Sequence, residues 1–92
     1  MRRAAKRDAT ENAIVDALLE AGCRVQYLSQ GGGVPDLLVR TPAGQWQVLE
    51  VKSPGGGLTD QQVLWMKHYG PIPVVQTPKE ALAAIGGHDG LE

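Results

Sequence analysis

The chain has 92 residues, 42% of them hydrophobic, which is enough for one compact domain with a small core. No apolar stretch approaches a membrane span or a secretory leader, and the lone Cys23 excludes an internal disulfide and, with two scattered histidines, a zinc cage. The net charge of −1 hides an uneven distribution, because four of the nine Lys and Arg lie in the first seven residues.

In chain order, Arg2, Arg3, Lys6 and Arg7 form a basic arm, suited to a polyanion and equally explained as a solvated terminus. The rest of the chain is acidic, with five Lys and Arg against ten Asp and Glu. Asp8 starts a helix, with Glu11 at capping-box spacing. Ile14, Val15, Leu18 and Leu19 follow at helical period, and Gly22 stops it. A strand over 24–28 leads to a flexible loop over 30–33, and Pro35 stands at the mouth of the next strand, which continues over 37–40. Residues 41–44 make a turn, and 45–52 the third strand. A second glycine loop spans 54–57. Thr59 caps the next helix, with Gln62 at the capping-box position and Gln61 as a surface neighbour. Val63, Trp65, Met66 and Tyr69 give this helix an apolar side, and Gly70 ends it. A fourth strand runs over 72–76. Thr77, Pro78 and Glu80 open a last helix, which ends near Gly86. Residues 88–92 form a tail in which Leu91-Glu92 resemble an expression scar. The reading is a single domain over 1–92 of the α/β class, in the order α-β-β-β-α-β-α.

The chemistry gathers on the second and third strands. Side chains alternate along a strand, so Glu50 and Lys52 point the same way. If the two strands pair as an antiparallel hairpin, Asp36 lies beside Glu50. Two carboxylates and a lysine at one end of a small sheet suit a hard cation and phosphodiester cleavage. Plain accounts stand beside this one. Glu11 and Gln62 are also capping-box residues, Asp36 a turn aspartate, and Lys52 a strand-end partner of Glu50. Cys23 reads as a small buried hydrophobe and His68 as a surface residue. The spacing of Trp65 and Tyr69 favours core packing over base stacking.

Together, Glu11, Pro35-Asp36, Glu50-Val51-Lys52 and Gln62 resemble the PD-(D/E)XK nuclease superfamily. Leu49-Glu50-Val51-Lys52-Ser53-Pro54 and the following segment from Leu58 to Trp65 are similar to its virus-type replication-repair nuclease (VRR-NUC) domain. The glycines before Pro35 depart from relatives that carry bulkier or basic residues there. The resemblance implies a restriction-endonuclease-like core with a mixed central sheet flanked by helices. It implies Mg²⁺ or Mn²⁺ on Asp36, Glu50 and the Val51 carbonyl, with Glu11 on a second metal or a metal-bound water. Lys52 would orient the attacking water or offset charge on the phosphate, and Gln62 would position water or the lysine. The implied activity is a structure-selective DNA endonuclease acting on branched or Holliday-junction DNA. Expected with it are a homodimer, a basic arm on DNA and a phage-encoded protein in the bacterial cytoplasm. The alternatives are a non-specific or restriction-type nicking enzyme and a non-catalytic DNA-binding module.

Overall fold

The computed structural model describes residues 9–28 and 31–86. The basic arm and Asp8, the loop residues 29–30 and the tail from 87 onward lie outside the described residues. Seven elements follow one another: helix α1 (Ala9–Glu20), strands β1 (Arg24–Tyr27), β2 (Leu37–Arg40) and β3 (Trp46–Val51), helix α2 (Asp60–Tyr69), strand β4 (Val74–Val75) and helix α3 (Pro78–Gly86). This is the order expected of a restriction-endonuclease-like core.

Helix α1 buries Glu11, Ile14, Val15 and Leu18, the i, i+3, i+4, i+7 stripe of an amphipathic helix. Leu19 falls off that stripe and is exposed, against its expected place in the core. Gly22 ends the helix at φ 94°, a conformation that favours glycine. The Cys23 N–H then reaches back to the Leu18 carbonyl at 3.0 Å, the six-to-one bond of a Schellman stop. Cys23 itself is buried, and burial pushes its thiol pKa up, as suits a packing residue.

The four strands lie in the order β1-β2-β3-β4. The first two pairings are antiparallel and β3-β4 is parallel, so the sheet is mixed. Register sets Leu37 opposite Leu49 and Val39 opposite Gln47. Leu37, Val39 and Leu49 are fully buried on one face and join Ile14, Leu18, Ala81 and Ile85 in a single core. Helices α1 and α3 cover that face and pack against each other. The opposite face carries Leu38 and Arg40 from β2 and Val48, Trp46 and Glu50 from β3.

Strand β4 has two residues where five were expected. Pro71 and Pro73 lack the N–H that a longer ladder needs. Even so, Pro73 accepts from the Glu50 N–H and Val75 accepts from the Lys52 N–H, both at 3.0 Å. Helix α3 begins as anticipated. The Glu80 N–H donates to Thr77 Oγ1 at 3.0 Å, and Glu80 Oε1 accepts from the Gln76 N–H at 2.7 Å.

Helix α2 departs from expectation. No side chain of α2 is fully buried: Trp65 and Met66 are half-buried, Leu64 is 55% exposed and Tyr69 72%. The Trp65 and Tyr69 rings meet each other at 4.6 Å between centroids instead of entering the core. The core is already closed by α1 and α3, so an apolar side on a third helix has no layer to bury against. Gln61 and His68 are exposed, as read.

Candidate active site

The hairpin register continues past Leu37 and Leu49 to bring Asp36 beside Glu50. Here the Asp36 carbonyl accepts from the Leu28 N–H at 2.8 Å, one step past the Tyr27–Leu37 pair, so the β2 main chain still follows β1 while its pairing with β3 has ended at Leu37 and Leu49. The Asp36 side chain takes over, and its Oδ2 accepts from the Val51 N–H at 2.8 Å. Asp36 is thus held by the strand that carries Glu50, which is more than a turn aspartate requires. The N–H groups of Glu50 and Lys52 are both committed to β4, so Val51 turns its main-chain polar groups toward Asp36.

Glu50 is 1% exposed, on the sheet face opposite the apolar core. One of its oxygens, Oε2, accepts from the Gln62 side-chain amide at 2.8 Å. The other, Oε1, is buried without a hydrogen-bond donor among the described residues. The carboxylate of Asp36 beside it is itself an acceptor, so the two tolerate each other only by sharing a proton or a cation. Burial therefore pushes the Glu50 pKa up to about 8, reinforced by hydrogen bonding to Asp36 and by its charge. Lys52 opposes the rise, and Glu11 adds slightly to it.

Lys52 lies one residue beyond the end of β3, half-buried, and its effect on Glu50 puts its charge in range of the pair. Glu11 is buried in the first turn of α1, and its charge is felt at Glu50. Among the described residues, no three of His, Cys, Asp and Glu gather closely enough to cage a metal ion by themselves. The nearest approach to a metal site is the Asp36–Glu50 pair with main-chain oxygen beside it. Its donor-free buried oxygen is the feature a hard cation fits.

Gln62 resolves its own ambiguity by doing both jobs. Its side-chain oxygen accepts from the Thr59 N–H at 2.8 Å, and its own N–H donates to Thr59 Oγ1 at 3.1 Å, which completes the capping box of α2. Its amide nitrogen remains for Glu50. An amide is required here, since a glutamate offers no donor and would repel Glu50.

Gly33 is the site residue that sequence reasoning missed. It lies in the loop read as flexible, yet a Cβ added there would collide with the Gln61 carbonyl and stand 3.1 Å from the Gln62 nitrogen. Its φ of 84° also favours glycine. The bare backbone at Gly33 lets the first turn of α2 close on the loop before Asp36, which delivers Gln62 to Glu50. Three glycines in a row concealed which one makes the contact. The signal was its distance of three residues from Asp36.

Residues 4–70, most of the chain, match the VRR-NUC domain family. Comparison with curated proteins and with solved structures gives no match.

Proposed function

The chain belongs to the VRR-NUC domain family, whose function is of nuclease type, and from that premise we propose that it is a divalent-metal-dependent endonuclease that hydrolyses phosphodiester bonds in branched DNA. The observation that carries this reading is Glu50 Oε1, a buried acceptor without a donor, next to a second carboxylate. Asp36 and Glu50 would hold Mg²⁺ or Mn²⁺, joined by the Val51 carbonyl. When bound, the cation supplies an acidified water and neutralises charge on the phosphate. The protein's own groups do the rest. Gln62 fixes the Glu50 carboxylate through its amide. Lys52 orients the attacking water and offsets charge growing on the phosphate oxygens. Glu11 would reach the site through a bound water or a second cation.

Cleavage of plasmid and four-way-junction DNA during titration with Mg²⁺ and Mn²⁺ tests the reading. The expected result is cutting that requires either cation and favours the junction. DNA binding without cutting at any cation concentration would sink the nuclease in favour of a binding module.

The basic arm, Arg2, Arg3, Lys6 and Arg7, is proposed to grip the phosphate backbone. A chain starting at Asp8 should then bind DNA more weakly, and its salt slope should fall by about 0.9 for each lost phosphate contact. An unchanged slope assigns the arm to solvent.

The protein is proposed to work as a homodimer, one active site for each strand of a junction. The uncovered apolar side chains of α2, including Leu64 and Tyr69, support that helix over α1 as the shared surface. Sedimentation equilibrium that stays at the 9.8 kDa monomer mass at all concentrations would rule this out.

A further inference from the structure

One row across the sheet is used by nothing described so far. Register sets Arg24 opposite Arg40, and Arg40 opposite Trp46. Directly opposed residues share a face, and this is the face that carries Glu50. All three side chains are exposed, Trp46 to 63%. The Arg40 guanidinium lies over the Trp46 ring, 5.8 Å from its centroid. Gly44, in the turn between the two strands, leaves the room for this: a Cβ there would meet Arg40 Nη2 at 3.3 Å. The turn is closed by the Gly44 N–H on the Thr41 carbonyl at 2.8 Å, so the arginine rests in a formed seat.

Neither arginine has an ion-pair partner among the described residues. Like charges directly opposed on neighbouring strands repel. Outside the arm the chain has only five Lys and Arg against ten acidic residues. Two of those five stand side by side with no carboxylate between them, and an exposed indole completes the row. Guanidinium groups without a carboxylate partner, beside an indole that is still 63% exposed, are the chemistry that binds single-stranded nucleic acid, phosphate by charge and base by stacking.

We propose that Arg24, Arg40 and Trp46 form a second nucleic-acid contact, in which the arginines take neighbouring phosphates of one strand and Trp46 stacks on an unpaired base. The inference rests on the nuclease reading for its direction. Trp46 lies four residues from Glu50 on β3, about 13 Å away at strand rise. That is roughly four base steps of duplex rise, so the row would hold the flank of a strand whose scissile bond lies at Asp36 and Glu50. A row that needs an unpaired base selects DNA with an open strand beside the cut.

The test uses the full chain without divalent cation, so that binding is read without cleavage. In a Trp65→Phe background, Trp46 is the sole tryptophan, and a duplex with a single-stranded overhang should quench it while a blunt duplex should not. Arg24→Thr with Arg40→Thr should weaken overhang binding about tenfold and lower its salt slope by about 1.4, the value for two single-strand phosphate contacts. Trp46→Thr should weaken it about tenfold and Trp46→Phe much less. Unchanged affinity and slope in the double arginine variant would overturn the proposal, as would equal quenching by polyglutamate. The two readings fail separately. Row variants that cut overhang DNA with unaltered KM would remove the row and keep the nuclease. Row-dependent binding by a protein that cuts nothing would do the reverse.

Discussion

Lys52→Ala is expected to lower single-turnover DNA cleavage about a thousandfold while the protein stays folded and binds DNA nearly as before. The main chain at this position is fixed independently of the side chain, because the Lys52 N–H is bonded to the Val75 carbonyl at 3.0 Å. Truncation removes a half-buried charge whose effect reaches Glu50, and leaves the ladder and the Asp36 anchor on Val51 intact. The loss should therefore appear in the rate at saturating enzyme and little in the binding constant. Lys52→Arg keeps the charge but spreads it over a planar fork, so it should restore only part of the rate. Near-normal cleavage by the alanine variant would make Lys52 a structural residue and move the catalytic charge elsewhere.

Glu50→Gln should have the opposite effect on stability to its effect on function. In the metal-free fold, the Glu50 pKa is raised from 4.5 to about 8, chiefly by burial and next by Asp36. A raised carboxyl pKa means that the folded protein holds the proton more tightly than the unfolded chain. The associated stability is fully present below about pH 4.5 and is lost as pH rises toward about 8. Within that window the wild-type fold loses stability steadily as the pH rises. An uncharged amide at position 50 escapes the loss, and its N–H₂ gives the Asp36 carboxylate a donor. Metal-free Glu50→Gln should melt with the wild type near pH 4.5 and well above it at pH 8, and cut no DNA. Addition of Mg²⁺ at pH 8 should raise the wild-type melting temperature and leave the variant unmoved. The difference between the two proteins isolates Glu50 from other groups that titrate in this range. Parallel melting curves across that range would show that Glu50 carries no strained charge.

The carboxylate pair was legible because both its strands are apolar runs interrupted by a charge and the turn between them is short. Once Leu37 faces Leu49, Asp36 has nowhere to go but beside Glu50. Gln62 was legible as a residue but not as a mechanism. Its capping and catalytic accounts looked like rivals, yet a primary amide has one acceptor end and one donor end, and the fold uses each separately. The apolar side of α2 misled for a different reason. Helical period reports which residues share a side, and it is silent on whether another layer exists to cover them. Gly33 was hidden because its role is defined by an absent atom facing a helix 28 residues away in sequence, a contact that no local pattern encodes.

The way α2 is fastened has a consequence for how the protein breathes. This helix buries no side chain fully, so its hold on the sheet depends heavily on its N-terminal turn, where Gly33 and Gln62 meet it. Elements with little buried apolar contact are the first to open in native-state hydrogen exchange. The amides of α2 should lose protection well before those of α1 or β2, whose side chains fill the core. Each such opening withdraws the amide from Glu50. The Gln62–Glu50 contact and local unfolding of one helix are thus expected to be coupled, and a ligand that draws Gln62 back onto Glu50 should slow exchange along α2.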